Sequence, residues 1–261
     1  MHQTASEGSS FVLKASLSDK AHHQIKQWII RYHLKPGSVL NVGGLAQALE
    51  MSHTPIREAL SMLEREHLVE RRPQRGFIVR GLDLQEVEDL YDLRISLEEL
   101  AARNAAKRIR LPERQRLSAI LGEVGRRLAA GNKSRILELE QDFHVVILEA
   151  SGNQPLAEMG RGILDRIWII QNINLLTTNH LSEAHPQHLK VFQAIESGDS
   201  KTAAALMKRH ITEAKEFVLS RLRRKDDVLS QMMCGFPVRD ARSRTPQEDA
   251  SAKPSRRSAV P

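Results

Sequence analysis

From Leu84 to Arg224 the chain repeats apolar residues at helical spacing, with only short Gly, Asn or Pro breaks. That period predicts helices over Leu84–Arg108, Pro112–Ala130, Ser134–Ala150, Leu156–Leu176, Glu183–Glu196 and Lys201–Arg224. The breaks fall at Leu111-Pro112, Gly131-Asn132, Gly152-Asn153, the polar stretch Thr177–Leu181, and Gly198-Asp199. Six helices joined by short loops make a bundle. Composition agrees. Aromatic residues are 4% of the chain, few for an all-β fold, since strands favour aromatics. Ala, Leu, Glu and Arg, all good helix formers, predominate.

The segment before the bundle reads differently. Asp19–Tyr32 is one amphipathic run with Ile25, Trp28 and Ile29 on one face, and Pro36-Gly37 breaks it. A short helix is expected over Gly43–Leu49 and a third over Ser52–His67. Ser52 is placed to cap that third helix, and Pro55 sits near the first turn, where a missing N–H costs little. Ile56, Leu60 and Leu63 share its apolar face. Leu68–Arg72 and Phe77–Arg80 are strand-like around the tip Pro73-Gln74-Arg75-Gly76. Short helices, a tight turn and a basic hairpin predict a winged helix-turn-helix, joined to the bundle at Gly81-Leu82-Asp83. The fold class expected is therefore mostly α. A winged helix-turn-helix spans residues 16–82 and an all-α helical bundle spans 83–226.

Length and charge bound the rest. A chain of 261 residues suits one or two domains at about 150 residues each. Lead residues 1–15 and tail residues 235–261 lack the apolar content to offset ordering, so both are expected to be disordered. Apolar runs fall far short of the ~20 residues of a membrane span, and the N-terminus has no sustained apolar core. Cys234 is the sole cysteine, which excludes an intrachain disulfide and a multi-Cys zinc site and fits a cytoplasmic setting. The net charge of +7 invites nucleic acid without deciding it.

In a winged helix-turn-helix the third helix offers its N-terminal residues to base edges in the major groove. Ser52, His53, Thr54 and Arg57 take that place here, while Arg71, Arg72, Arg75 and Gly76 form the wing. Arg57 suits a bidentate contact to guanine or a phosphate contact. A salt bridge to Glu58 or Glu64 is the competing reading, and solvated charge competes for the wing arginines. The stretch Leu34-Lys35-Pro36-Gly37-Ser38-Val39-Leu40, then Leu45-Ala46, then Ser52-His53-Thr54-Pro55-Ile56-Arg57-Glu58-Ala59-Leu60 resembles the DNA-binding domain of GntR-type bacterial regulators. Leu63-Glu64 and Arg75-Gly76-Phe77-Ile78-Val79 continue the likeness, which covers residues 17–82. His53 stands where the family usually has Arg, Val42-Gly43 where it usually has Glu and a polar residue, and Tyr32 where Gly is common.

In the bundle, Glu140 and His144 are one helical turn apart, and His188 and His210 sit on or beside apolar stripes. Imidazoles and a carboxylate pointing inward from facing helices can hold a metal. Hydrogen-bonded core histidines are the bland reading, and His185 competes with His188. Tyr91-x-x-Arg94-x-x-Leu97-Glu98 is followed by Glu140-x-x-Phe143-His144 and Ser151-Gly152-Asn153. His188 with Ala194-Ile195, and Ala203, Met207 and His210, complete a series that resembles the FCD ligand-binding domain of FadR-type regulators over residues 84–225. The resemblance implies a divalent metal, Zn, Ni or Mn, held by Glu140, His144, His188 and His210, with Glu140 in place of the usual Asp. It also implies Arg94 as the arginine that meets an effector carboxylate. An ion pair of Arg94 with Glu98 one turn on is the alternative. Asn153 reads as a cap at a helix end.

The function expected is a DNA-binding transcriptional regulator, a homodimeric repressor controlled by a small organic acid. A metal-dependent enzyme using the histidine centre is one alternative. An adaptor bundle whose basic tail binds RNA or membrane is another, and it leaves Ser52–Leu60 unexplained.

Overall fold

The structure, a computed structural model, describes residues 16–174 and 180–223. The expected disordered lead and basic tail, Cys234 and residues 177–179 of the expected polar break lie outside the described residues. The other two residues of that break, His180 and Leu181, belong to a helix. Among the described residues no helix is long and apolar enough to cross a membrane.

The N-terminal half contains α1 (Leu17–Ile30), β1 (Val39–Leu40), α2 (Val42–Ala48), α3 (His53–Arg65), β2 (Val69–Arg72) and β3 (Gly76–Val79). Helix α1 starts where the Ser16 hydroxyl accepts from the Asp19 amide and the Asp19 carboxylate accepts from the Ser16 amide. It ends two residues before the expected Tyr32. Tyr32 has φ 62°, a left-handed backbone, which explains why glycine is common at such a position. Asn41 Oδ1 accepts from the amides of Gly43 and Gly44 and starts α2. The hairpin forms as expected, with Arg71 opposite Phe77 and Arg72 opposite Gly76. Strand β1 was not foreseen: it adds antiparallel to β3, pairing Val39 with Ile78 and Leu40 with Phe77. Two residues are too few to show an alternating pattern. Ile25, Ile29, Ile56, Leu60, Leu63 and Val79 are fully buried in the core these elements share.

The C-terminal half is α4 (Leu84–Arg108), α5 (Leu111–Ala129), α6 (Ile136–Ala150), α7 (Gln154–Asn174), α8 (His180–Glu196) and α9 (Ser200–Leu222). The Asp83 carboxylate accepts from the Glu86 amide at 2.7 Å and caps α4. Asn153 Oδ1 accepts from the Leu156 amide at 3.3 Å, the capping role expected of it. The bundle core runs from Leu82 to Leu219.

The halves meet along α1 and α7. Ile169 of α7 joins the N-terminal core. Lys26 of α1 lies 2.7 Å from Asp165 of α7 and 2.8 Å from Glu66 beyond α3. Glu86 of α4 takes Arg80, at the end of the wing, on one side and Arg166 of α7 on the other.

The turn between α2 and α3 contains Glu50, which is exposed and has φ 54°. Glycine adopts this region freely, and a β-branched residue is an outlier there. Glu50→Gly is expected to unfold at or above the parent's urea midpoint. Glu50→Val is expected to lose about 1–2 kcal/mol.

Candidate functional site

The first site is the N-terminal end of α3. Ser52 has the extended backbone of a capping residue, but its hydroxyl makes no cap hydrogen bond. That departs from the expected cap and leaves the hydroxyl for another partner. Ser52, His53, Thr54 and Arg57 are all exposed, while Pro55, Ile56, Ala59, Leu60 and Leu63 face the core. The helix therefore presents a polar edge at the end where unpaired amides attract anions. Arg57 has no salt bridge to Glu58 or Glu64; Glu58 instead accepts from the Ser18 hydroxyl and ties α3 to α1.

The wing arginines are exposed as well. Arg71 stacks its guanidinium 4.7 Å from the Phe77 ring centre, which fixes its stem on the hairpin. Arg72 lies 2.5 Å from Glu70, so part of its charge is already matched. Arg75 sits in the tip. Gly76 has φ 74°, so its place is conformational: it lets the chain turn back into β3.

The second site is inside the bundle. His144 of α6, His188 of α8 and His210 of α9 bring one ring nitrogen each within 4.8 Å of one another, and all three are buried. His188 Nε2 and His210 Nε2 are 2.9 Å apart. Each ring has a partner on its other nitrogen. Glu98 of α4 meets His144 Nδ1. Gln187 Oε1 is 2.6 Å from His210 Nδ1. Glu140 Oε2 is 3.0 Å from His188 Nδ1. That last contact lies outside hydrogen-bond alignment.

These partners set the tautomers. Burial would raise the Glu98 pKa, but its contacts with His144 and Arg94 overcome it and lower it to about 2. Glu98 is thus an acceptor, and His144 Nδ1 donates. The Gln187 amide donates to Glu213 at 2.7 Å, which turns its oxygen to His210 and makes His210 Nδ1 a donor. The Glu140 carboxylate favours a proton on His188 Nδ1. Desolvation holds the His144 pKa below its usual value, so that ring stays neutral. One ring nitrogen of each histidine then faces the other two, with His188 Nε2 and His210 Nε2 close enough to share a proton. Such a set suits a divalent cation of borderline hardness, with each ring facing an outer partner.

The structure brings the three expected histidines together and sets Glu140 apart, against His188 Nδ1. Its Oε1 is buried and has no hydrogen-bond partner, so the donor set retains a spare oxygen. Burial pushes the Glu140 pKa up, but the neighbouring His188 ring brings it below the usual carboxylate value. His185 does not join the cluster; its ring lies towards Gly125 of α5.

Arg94 makes the ion pair that competed with the effector role. Its Nε is 2.6 Å from Glu98 Oε1, the intrahelical pair. Its Nη1 is buried without a partner and lines a cavity with Glu140, His144, Gln171 and His210. That cavity measures about 30 Å³, room for a water or a single ion, far below the volume of an organic ligand pocket. Glu98 is the residue whose role the sequence understated: it anchors both Arg94 and His144. Nothing in the spacing links it to a histidine 46 residues on.

Glu98→Ala would strand the Arg94 charge in the bundle. A loss of about 3–5 kcal/mol is expected in urea unfolding, largely recovered by Arg94→Leu with Glu98→Leu. The sign with pH follows from the lowered pKa. The Glu98 contribution is complete above the unfolded value of about 4.3 and is lost as pH falls towards about 2. The parent should thus lose stability more steeply through that window than the double-leucine variant.

The family described as "Bacterial regulatory proteins, gntR family" matches residues 17–79, and the FCD domain family matches residues 89–213. The Nta operon transcriptional regulator of Aminobacter aminovorans is 32% identical over 196 residues, covering 74% of this chain and 90% of that protein. The transcriptional repressor GlaR of Escherichia coli is 26% identical over 197 residues, covering 72% of this chain and 89% of that protein. The structure of E. coli McbR/YncC has the same fold, with a TM-score of 0.72 at 20% identity over 80% of this chain and all of that one. These relatives are transcriptional regulators, which sets aside the metal-dependent enzyme. The chain, with its exposed α3 edge, basic wing and C-terminal helical bundle, belongs to the GntR family and is a transcriptional regulator with an FCD domain.

Proposed function

We propose that this regulator is a homodimeric repressor, released from its operator when a small organic acid binds in the helical domain beside a divalent metal. The meeting of one buried nitrogen from each of three histidines within 4.8 Å, two of them held by outer hydrogen bonds, carries the reading. His144, His188 and His210 would hold the metal, Zn, Ni or Mn. Glu140 would orient His188 and keep Oε1 as a further donor. When bound, the metal supplies a positive centre for a carboxylate. Arg94 would take that carboxylate through its free Nη1. The cavity must widen to admit it, so the acid binds the two states of the domain with different affinity, as allostery requires.

Helix α7 is placed to carry the change. Leu164 and Gln171 line the cavity, while Asp165 and Ile169 reach the DNA-binding half. On DNA, Ser52, His53, Thr54 and Arg57 would read the major groove, with Arg71, Arg72 and Arg75 along phosphates or the minor groove. A homodimer would set two such helices one turn of DNA apart. Two relatives support the repressor reading by name: GlaR and RspR of E. coli are transcriptional repressors.

Arg57→Ala should weaken operator binding about 5- to 150-fold, the equivalent of one good base contact at about 1–3 kcal/mol. Unchanged binding by that variant in a salt titration would remove Arg57 from the interface. Elemental analysis of the purified parent should find close to one divalent ion per protomer, with much less in His188→Ala and His210→Ala. A metal-free protein that still leaves its operator on adding acid would sink the metal reading.

A further inference from the structure

A second, larger cavity lies between the two halves. It measures about 440 Å³, within the range of small-molecule sites, which favour domain interfaces. Its apolar lining is Ile30 of α1, Leu137 and Val145 of α6, and Trp168 of α7. Its polar rim has Arg31 at the end of α1 and, across the cleft, Lys133 and Arg135 in the segment before α6. All three are exposed. Of the acids that line it, Asp165 is already matched by Lys26, which leaves Glu138 and Asp142 against three cations. Leu137 and Gln141 are shared with the small cavity, and they wall the cleft from the histidine centre.

We propose that this interdomain cleft is a ligand site of its own, for an anion with an apolar body. The body would lie against Ile30, Val145 and Trp168, and the anionic head would bridge Arg31 to Lys133 and Arg135. Cations from both halves line the same gap, so one anion can meet charge from both. The ligand contacts α1 of one half and α6 and α7 of the other, so its binding locks the halves together. The site does not depend on a metal at the histidine centre.

The test titrates 4-phenylbutyrate into the full chain by calorimetry. 4-Phenylbutanol serves as the uncharged body and butyrate as the charge without the ring. Phenylbutyrate should bind saturably, one per protomer, and raise the melting temperature. Each control should bind at least tenfold more weakly. Val145→Trp should abolish binding by filling the cleft. Arg31→Ala with Arg135→Gly, the latter suited to φ 59° there, should weaken it at least tenfold. With Trp28→Phe, leaving Trp168 as the sole tryptophan, binding should change the fluorescence. His188→Ala should bind as the parent does. The proposal is overturned by absent saturable binding in the parent, or by binding that the charge variant leaves intact. Binding lost in His188→Ala but kept in the charge variant would assign the probe to the histidine centre and overturn it as well. Should Val145→Trp fail to fold, the charge variant decides.

Discussion

A chain of polar groups, an ion pair with a histidine on its end, runs through the apolar interior of the bundle, and the rest of the structure is arranged to tolerate it. Arg94, Glu98 and His144 are almost completely buried. An isolated charge there would cost many kcal/mol, so each must be paired and hydrogen-bonded. Glu98 does this twice, holding Arg94 along α4 and His144 across on α6. The small side chains Ala101, Ala102 and Ala105 follow on α4, where the packing turns wholly apolar. The bundle is thus polar around one point and close-packed elsewhere. That division is what separates a site from a core.

The two halves are joined by pairs of opposite charge around an apolar seam. Lys26 holds Asp165 and Glu66 at once, and Glu86 holds Arg80 and Arg166. Ile30, Val124, Ile136, Leu137 and Trp168 form a separate apolar cluster along the seam. Burial raises the Asp165 pKa, with the Lys26 charge working against it. The seam is therefore more than a linker contact. Helix α7 belongs to the C-terminal half by sequence and to both halves by packing.

Much of this was legible in the sequence. The helical period gave α4 with both its ends, and Gly-Asn and Gly-Asp pairs marked the loops that follow α6 and α8. The apolar face of α3 and its exposed arginine were readable because one helix contains both. The three histidines could be named, but their meeting could not be derived from spacing, since they stand on three helices. The pairing of Glu98 with His144 and of Lys26 with Asp165 joins residues far apart in the chain, and no local pattern records it. Strand β1 was missed for the opposite reason: its two residues are strand only because β3 lies beside them. The role of Ser52 was half right, since its backbone starts α3 while its hydroxyl does not cap it.

The Gln187 amide has a consequence of its own. An amide can face either way, and here Glu213, at the surface of α9, decides which. The carboxylate takes the amide N–H, so the carbonyl oxygen turns inward to His210. A basic residue at position 213 would favour the reversed amide. The N–H would then meet His210 Nδ1, drive the ring proton to Nε2 and occupy the lone pair that the other two rings face. A surface acid thereby guards the tautomer of a buried ring. A change of charge at the surface can reset a buried ring without moving a single helix.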